Sequence, residues 1–267
     1  MTALLDIYRA HFKTTIASQL QYRAALVIWL IGMVLEPLIY LVVWTTVARS
    51  SGGQVGGYTS EDFAAYFIVF MLVNHATFTW IMWEYEYRIR QGTFSAMLLR
   101  PIHPIHSDIA DNLSYKLLTL SVMLPTAIAL SLAFRPAFHL VPWAVLAFIP
   151  ALILAFLVRF LVEWALALAA FWTTRVNAIN QMYFVALLFL SGQIAPLSLL
   201  PAPIQAIGTA LPFRWMVAFP VELLLGHLRP EEALIGFAAQ VIWLIVALAL
   251  VHVIWRAGVR RYSAVGS

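Results

Sequence analysis

The chain has 267 residues, of which 63% are hydrophobic and 10% are charged. Globular proteins average about half apolar and about a quarter charged residues, so a single water-soluble core is excluded and the bilayer is read as the main solvent. There is no Cys, which excludes disulfides, thiolate metal sites and cysteine nucleophiles, and the formal charge of +4 sorts by membrane side rather than marking a nucleic-acid binder.

Residues 1–23 place Leu4, Tyr8, Phe12, Ile16 and Leu20 four apart, with Arg9 and Lys13 between them. This is the pattern of an amphipathic helix lying in the membrane interface. Asp6, Arg9, Lys13 and Arg23 precede the first apolar run and no small-x-small cleavage site follows it, so the segment is expected to remain in the mature protein. The first span is predicted over 24–47, where Glu36 and Pro37 bring an ionisable group and a kink to membrane depth. The loop 49–62 is expected to be flexible and polar; its glycines, at 52, 53, 56 and 57, precede no Lys and follow no predicted strand. Span two, 63–83, ends among Trp80, Trp83, Tyr85 and Tyr87, an aromatic cluster suited to the headgroup level.

A charged segment, 84–116, leads to span three at 117–134. Span four, 141–172, exceeds one bilayer thickness, so it tilts or projects beyond the membrane, and it contains Arg159, Glu163 and the small residues Ala165, Ala167, Ala169 and Ala170 as a packing seam. Span five is predicted over 179–194. The stretch 195–231 then breaks repeatedly at proline, which predicts re-entrant or short surface helices on the extracytoplasmic side, lined by protein or water. Span six is 233–255, closed by Arg256, Arg260 and Arg261. The expected fold is all-α: one polytopic transmembrane domain over 1–267, with six spans and an N-terminal interfacial helix.

Six spans put both termini on one side, together with Arg9, Lys13, Arg23, Arg88, Arg90, Arg100, Lys116, Arg175, Arg256, Arg260 and Arg261. The other side holds Arg49, Arg135, Arg214 and Arg229. By the positive-inside rule, the termini and the segment after span two are cytoplasmic and the chain is a multi-pass protein of the cytoplasmic membrane.

The segment from Arg88 through Arg90, Gly92, Thr93, Phe94, Leu98, Leu99 and Arg100 to Pro101 resembles the short helix after the second span of type-two ABC transporter permeases, with its Gly-Thr-apolar start, paired Leu and following Pro. A second stretch, Ser191-Gly192 with Pro196, Pro201, Pro212 and Pro220, is similar to the Ser-Gly and repeated-Pro signature after their fifth span. The chain resembles most the subunits that pair with a second, different permease; a homodimer is the alternative. The resemblance implies that 92–101 seats in a groove on a separate ATPase, present in two copies and carrying the ATP and magnesium, while this chain binds no cofactor and is not itself an enzyme. It also implies export. The chain's two lysines, Lys13 and Lys116, are not preceded by Gly, so it lacks a P-loop of its own.

Arg159 and Glu163, spaced i and i+4, are expected to pair on one helix face, as structure or as part of a pathway that includes Glu36. An ion-coupled secondary transporter using these three residues is the alternative function. His103, His106, Asp108 and Asp111 invite a metal reading, but Pro104 interrupts them; the preferred account has Ser107 capping a helix whose first turn carries the two aspartates. The same aspartates would be the acid cluster of an intramembrane lipid-modifying enzyme, the third reading. Asn74, His75, Asn177, Asn180 and Gln193 are expected to form interhelical hydrogen bonds, and no nucleophile elbow is present.

Overall fold

The computed structural model describes residues 2–21, 23–173 and 176–262. Arg175 lies outside the described residues, as do the side chains of Leu4 and Arg23. The chain is almost entirely helical: α1 (Thr2–Gln21), α2 (Arg23–Ser50), α3 (Ser60–Thr77), α4 (Ile81–Arg90), α5 (Phe94–Leu98), α6 (Pro104–Phe134), α7 (Pro142–Ala167), α8 (Val176–Leu190), α9 (Ala202–Ala210), α10 (Phe213–Met216), α11 (Ala218–Leu224) and α12 (Pro230–Arg261). A 3-10 turn, Leu168–Phe171, extends α7.

Among the described residues, five helical stretches are long and apolar enough to cross a membrane: Val27–Ser50, Ser60–Arg90, Pro104–Phe134, Pro142–Phe171 and Pro230–Arg261. Val176–Leu190, where the fifth of six spans was predicted, is apolar but shorter. Side chains such as Leu132 (76% exposed) and Met182 (75%) point outward from the bundle, as a hydrocarbon solvent requires and water would penalise. The chain is thus an all-α polytopic membrane protein.

At the centre stands α3, with Phe63, Tyr66, Phe67, Phe70 and Met71 all buried among α2, α6, α7 and α11. It starts sharply because Thr59 and Asp62 form a reciprocal capping box, the Thr59 hydroxyl accepting from the Asp62 N–H at 3.2 Å and the Asp62 carboxylate accepting from the Thr59 N–H at 3.0 Å.

Four local expectations change. The glycine loop is a small hairpin: Gln54–Val55 pairs antiparallel with Tyr58–Thr59, and Gly56 and Gly57, at φ 56° and 86°, supply the two left-handed positions that a tight two-residue turn needs. Helix α6 begins at Pro104, so 104–116 is continuous with the stretch predicted as span three. His103, rather than Ser107, caps it, its Nδ1 accepting from the Ile105 N–H at 3.3 Å; proline at the first helical position needs no such partner. Finally, the helix predicted over span two is broken at Phe78–Trp80.

The chain's turns collect at two ends. At one, Tyr58 meets His227 edge to face at 5.6 Å, the Ala137 N–H donates to Glu61 O, and Tyr58 lies 3.4 Å from Ser198 Oγ. At the other, Phe94, Phe171, Trp255 and Tyr262 form one aromatic cluster. Helix α1 lies against α6 and turns His11 and Thr15 toward it.

Candidate functional site

The segment proposed to meet an ATPase is a short arm with one buried anchor. Glu84 and Glu86 pair with Arg88 and Arg90 at 3.3 and 3.7 Å along α4, as their i,i+4 spacing requires. Gly92, at φ +70°, reverses the chain into α5. Phe94 is fully buried between Tyr85, Phe171 and Tyr262, with ring centroids 5.4 to 5.5 Å away, and Ser95 Oγ lies 2.9 Å from the Tyr262 hydroxyl. Leu98 is partly buried, whereas Thr93, Arg100 and Pro101 are exposed and Leu99 is 87% exposed. The arm therefore offers Leu99 to Pro101 outward while Phe94 fixes its base to the C-terminal ends of α7 and α12.

Asp108 ties this arm to the bundle. It is buried, and its carboxylate accepts from Arg88 at 2.6 Å, from the Tyr85 hydroxyl at 3.0 Å and from the Trp164 indole at 2.9 Å. Local sequence offered Asp108 a helix-start role, a metal reading or an acid cluster but not this tie, because its partners come from α4 and α7. His106 lies 3.1 Å from the Tyr8 hydroxyl, and His103 packs at 4.4 Å against Trp255. Cover from Trp164 and Trp255 desolvates the His103 ring and, with the nearby His106, lowers its pKa below the usual 6.5. Among the described residues, no group of three or more His, Asp or Glu is placed to hold a metal ion.

The intramembrane pair forms as its spacing predicts, but its surroundings were not legible. Arg159 Nε donates to Glu163 Oε1 at 2.8 Å, and both side chains are buried. They face the break between α3 and α4, where backbone groups lose helical partners. Arg159 Nη1 donates both to Asn74 Oδ1 at 2.8 Å and to Thr77 Oγ1 at 3.0 Å, with the guanidinium 5.4 Å from the centre of the Phe78 ring. Glu163 accepts from the Tyr183 hydroxyl at 3.0 Å and from the Thr79 hydroxyl. Lys116 donates to the freed Phe78 carbonyl. The signal that could have revealed this node is the run Asn74, His75, Thr77 and Thr79 in an apolar stretch. His75 Nε2 lies 2.7 Å from Thr119 Oγ1, the interhelical role expected for it.

Glu36 is elsewhere, on the outer surface of α2, where it accepts from Gln193 at 2.6 Å. Of the Ser-Gly and proline motif, Ser191, Gly192, Pro196, Pro212 and Pro220 are buried and Pro201 is exposed. Gly192 has φ +81°, and its carbonyl accepts from the Tyr66 hydroxyl at 2.8 Å. Trp44 donates to Ile194 O at 2.7 Å, so this turn is held by α2 and α3 together. Pro201 and Pro212 cap α9 and α10, and Pro220 sits in the first turn of α11, where no N–H is missed. The buried Trp215, Met216 and Phe219 pack this segment onto the bundle.

Compared with known families, the chain matches the one described as "ABC-2 family transporter protein" over residues 34–266. No curated protein and no solved structure matches it.

Proposed function

Since the chain belongs to the ABC-2 transporter family and is a membrane permease of an ABC transporter, we propose that it is an export subunit moved by separate ATPases through the α4–α5 arm. The observation that carries this reading is the arm's division of labour: Phe94 is locked into the bundle while Leu99, Arg100 and Pro101 project from it. A tip that is free to be gripped and a base that is not free to slide transmit a rigid-body displacement to α4, α7 and α12.

The assembly is two ATPases beneath this permease and a second one, a different chain, with ATP and magnesium held by the ATPases and both termini of this chain cytoplasmic. Six crossings are supported by the gathering of turns at two ends: Ser198 is near Tyr58, while Phe171 is near Phe94, so α8 and the turn after it carry the chain between ends. The bonding of Arg159 and Glu163 to each other and to four neighbouring groups supports a structural pin rather than an ion-coupling relay.

Affinity purification of the tagged chain from gently solubilised membranes, with identification of co-purifying proteins, tests the partners. Recovery of a P-loop ATPase, with transport lost but ATP hydrolysis retained in Leu99→Asp, supports the arm. ATP hydrolysis and transport that stay coupled in this variant overturn it.

A further inference from the structure

Between α1, α2, α4 and α6 lies a cavity of about 760 Å³ that borders the base of the arm, sharing Glu84, Arg88 and Asp108 with it, and stands apart from the Arg159–Glu163 pair. Pockets that enclose a small organic ligand span about 300–1,000 Å³. One wall is aromatic. Trp29 and Trp80 meet edge to face, 4.7 Å apart at 70°, and Trp80 meets Trp83 at 4.9 Å and 53°, so three indoles line the space in three different planes.

The charged groups decide what such a wall receives. Three carboxylates line the cavity, those of Glu84, Asp108 and Asp111, against one guanidinium, that of Arg88. Arg88 is already neutralised, at 2.6 Å from Asp108 and 3.3 Å from Glu84. Asp111 accepts from Thr15 at 2.6 Å and lies 3.8 Å from His11, which is the cavity's other basic group. An anion would meet surplus carboxylate and an engaged arginine. A neutral apolar molecule would cover charge without compensating it, at a cost of desolvation. A cation with an apolar shell satisfies both walls, because indole faces attract ammonium groups most strongly when water is excluded.

We propose that this cavity recognises an alkylated ammonium group, borne by a free organic cation or by the headgroup of a membrane amphiphile. Its roof, α1, contributes through the same His11 and Thr15 face that binds α6, so the N-terminal helix is part of the site. The proposal does not depend on an ATPase partner or on the direction of transport.

The test is equilibrium binding to the purified full-length chain in a maltoside detergent, comparing choline with its neutral isostere 3,3-dimethyl-1-butanol and with lysophosphatidylcholine. Saturable binding of choline or of the lysolipid is expected. In Trp80→Ala we expect it to weaken about tenfold, the scale of a cation–π contact, and in Glu84→Gln about threefold, the scale of a partly exposed countercharge. The neutral alcohol is expected to bind at least about tenfold more weakly than choline. Equal affinity for choline and the lysolipid identifies a free-cation site, and much tighter lysolipid binding identifies a lipid site. No saturable binding of either, equal binding of the neutral alcohol, or unchanged affinity in a monodisperse Glu84→Gln variant overturns the proposal. The isostere comparison uses the wild-type chain and remains decisive if Trp80→Ala does not fold.

Discussion

Removing Arg159 alone would leave Glu163 buried with two hydroxyl donors and without its ion-pair partner, whereas replacing both residues by Leu removes the broken pair and leaves the neutral groups, with the buried Lys116 on the Phe78 carbonyl, to re-pair. Breaking a buried ion pair from one side costs about 3–5 kcal/mol, and an unmatched neutral polar group costs about 1–3 kcal/mol. Arg159→Leu is therefore expected to lower the thermal midpoint in detergent more than the Arg159→Leu/Glu163→Leu double variant does. A double variant that is less stable than the single one contradicts the pin, and retained transport in the double supports it. Glycine position matters in a similar, contact-dependent way. A Cβ on Gly192 would come 2.4 Å from the Tyr66 hydroxyl at a φ of +81°, so Gly192→Ala combines strain with a clash, together about 1–3 kcal/mol. On Gly92, also left-handed, the added Cβ meets nothing within 4 Å, so Gly92→Ala should cost only about 1 kcal/mol, a contrast that paired melting curves would resolve. The i,i+4 spacing made the Arg159–Glu163 contact legible in sequence. Their other partners were not, since Thr79 and Glu163 are 84 residues apart and meet only through tertiary packing.

At the scale of elements, the arm separates an anchor from a tip, and the two should fail differently. Phe94→Ala removes a fully buried ring from between Tyr85, Phe171 and Tyr262 and is expected to cost about 3–5 kcal/mol, seen as a lower midpoint and lower yield. Leu99→Asp alters a side chain that is 87% exposed, so stability should stay within about 0.5 kcal/mol while coupling is lost. If Leu99→Asp instead behaves like Phe94→Ala in melting experiments, the tip is packed in the working protein. The sequence marked 92–101 through its Gly-Thr, Leu-Leu and Pro pattern, and the structure supplies what that pattern lacks: the aromatic seat from Phe171, Trp255 and Tyr262, and the Asp108 tie. The break at Phe78–Trp80 was hidden for a related reason. No Pro or Gly marks it, and the surrounding run is apolar enough to read as one span; the polar groups of α6 and α7 are what stabilise the interruption. The α6 start was missed because Ser107 is a better general cap than His103, while Pro104 fixes the first turn earlier.

For the whole molecule, hydropathy and span length carried the helical architecture, because a bilayer imposes both on any sequence it accepts. They could not show how 195–231 folds, since its packing onto α3 and α7 depends on contacts such as Tyr66 with Gly192. That segment also decides the number of crossings. Helix α8 has 15 residues, about 22 Å at about 1.5 Å per residue, against about 30 Å of hydrocarbon. The difference can be made up only by backbone whose polar groups are satisfied within the protein, and the turn after α8 has that property through Tyr66 and Trp44. The chain contains no Cys, so single cysteines can be introduced and labelled from either side with a membrane-impermeant maleimide. With six crossings, Gln54, Ala137 and Arg229 replaced by Cys react from one side and Ala96 and Arg100 from the other. With five, the Arg229 position changes sides and joins Ala96. The ring contact between Tyr58 and His227 and the approach of Gly226 to His139 place the start of α12 beside the α2–α3 turn, so co-labelling of positions 54 and 229 is the expected result. Labelling of position 229 together with position 96 would mean that α8 turns back within the membrane and that the C-terminus faces away from the arm.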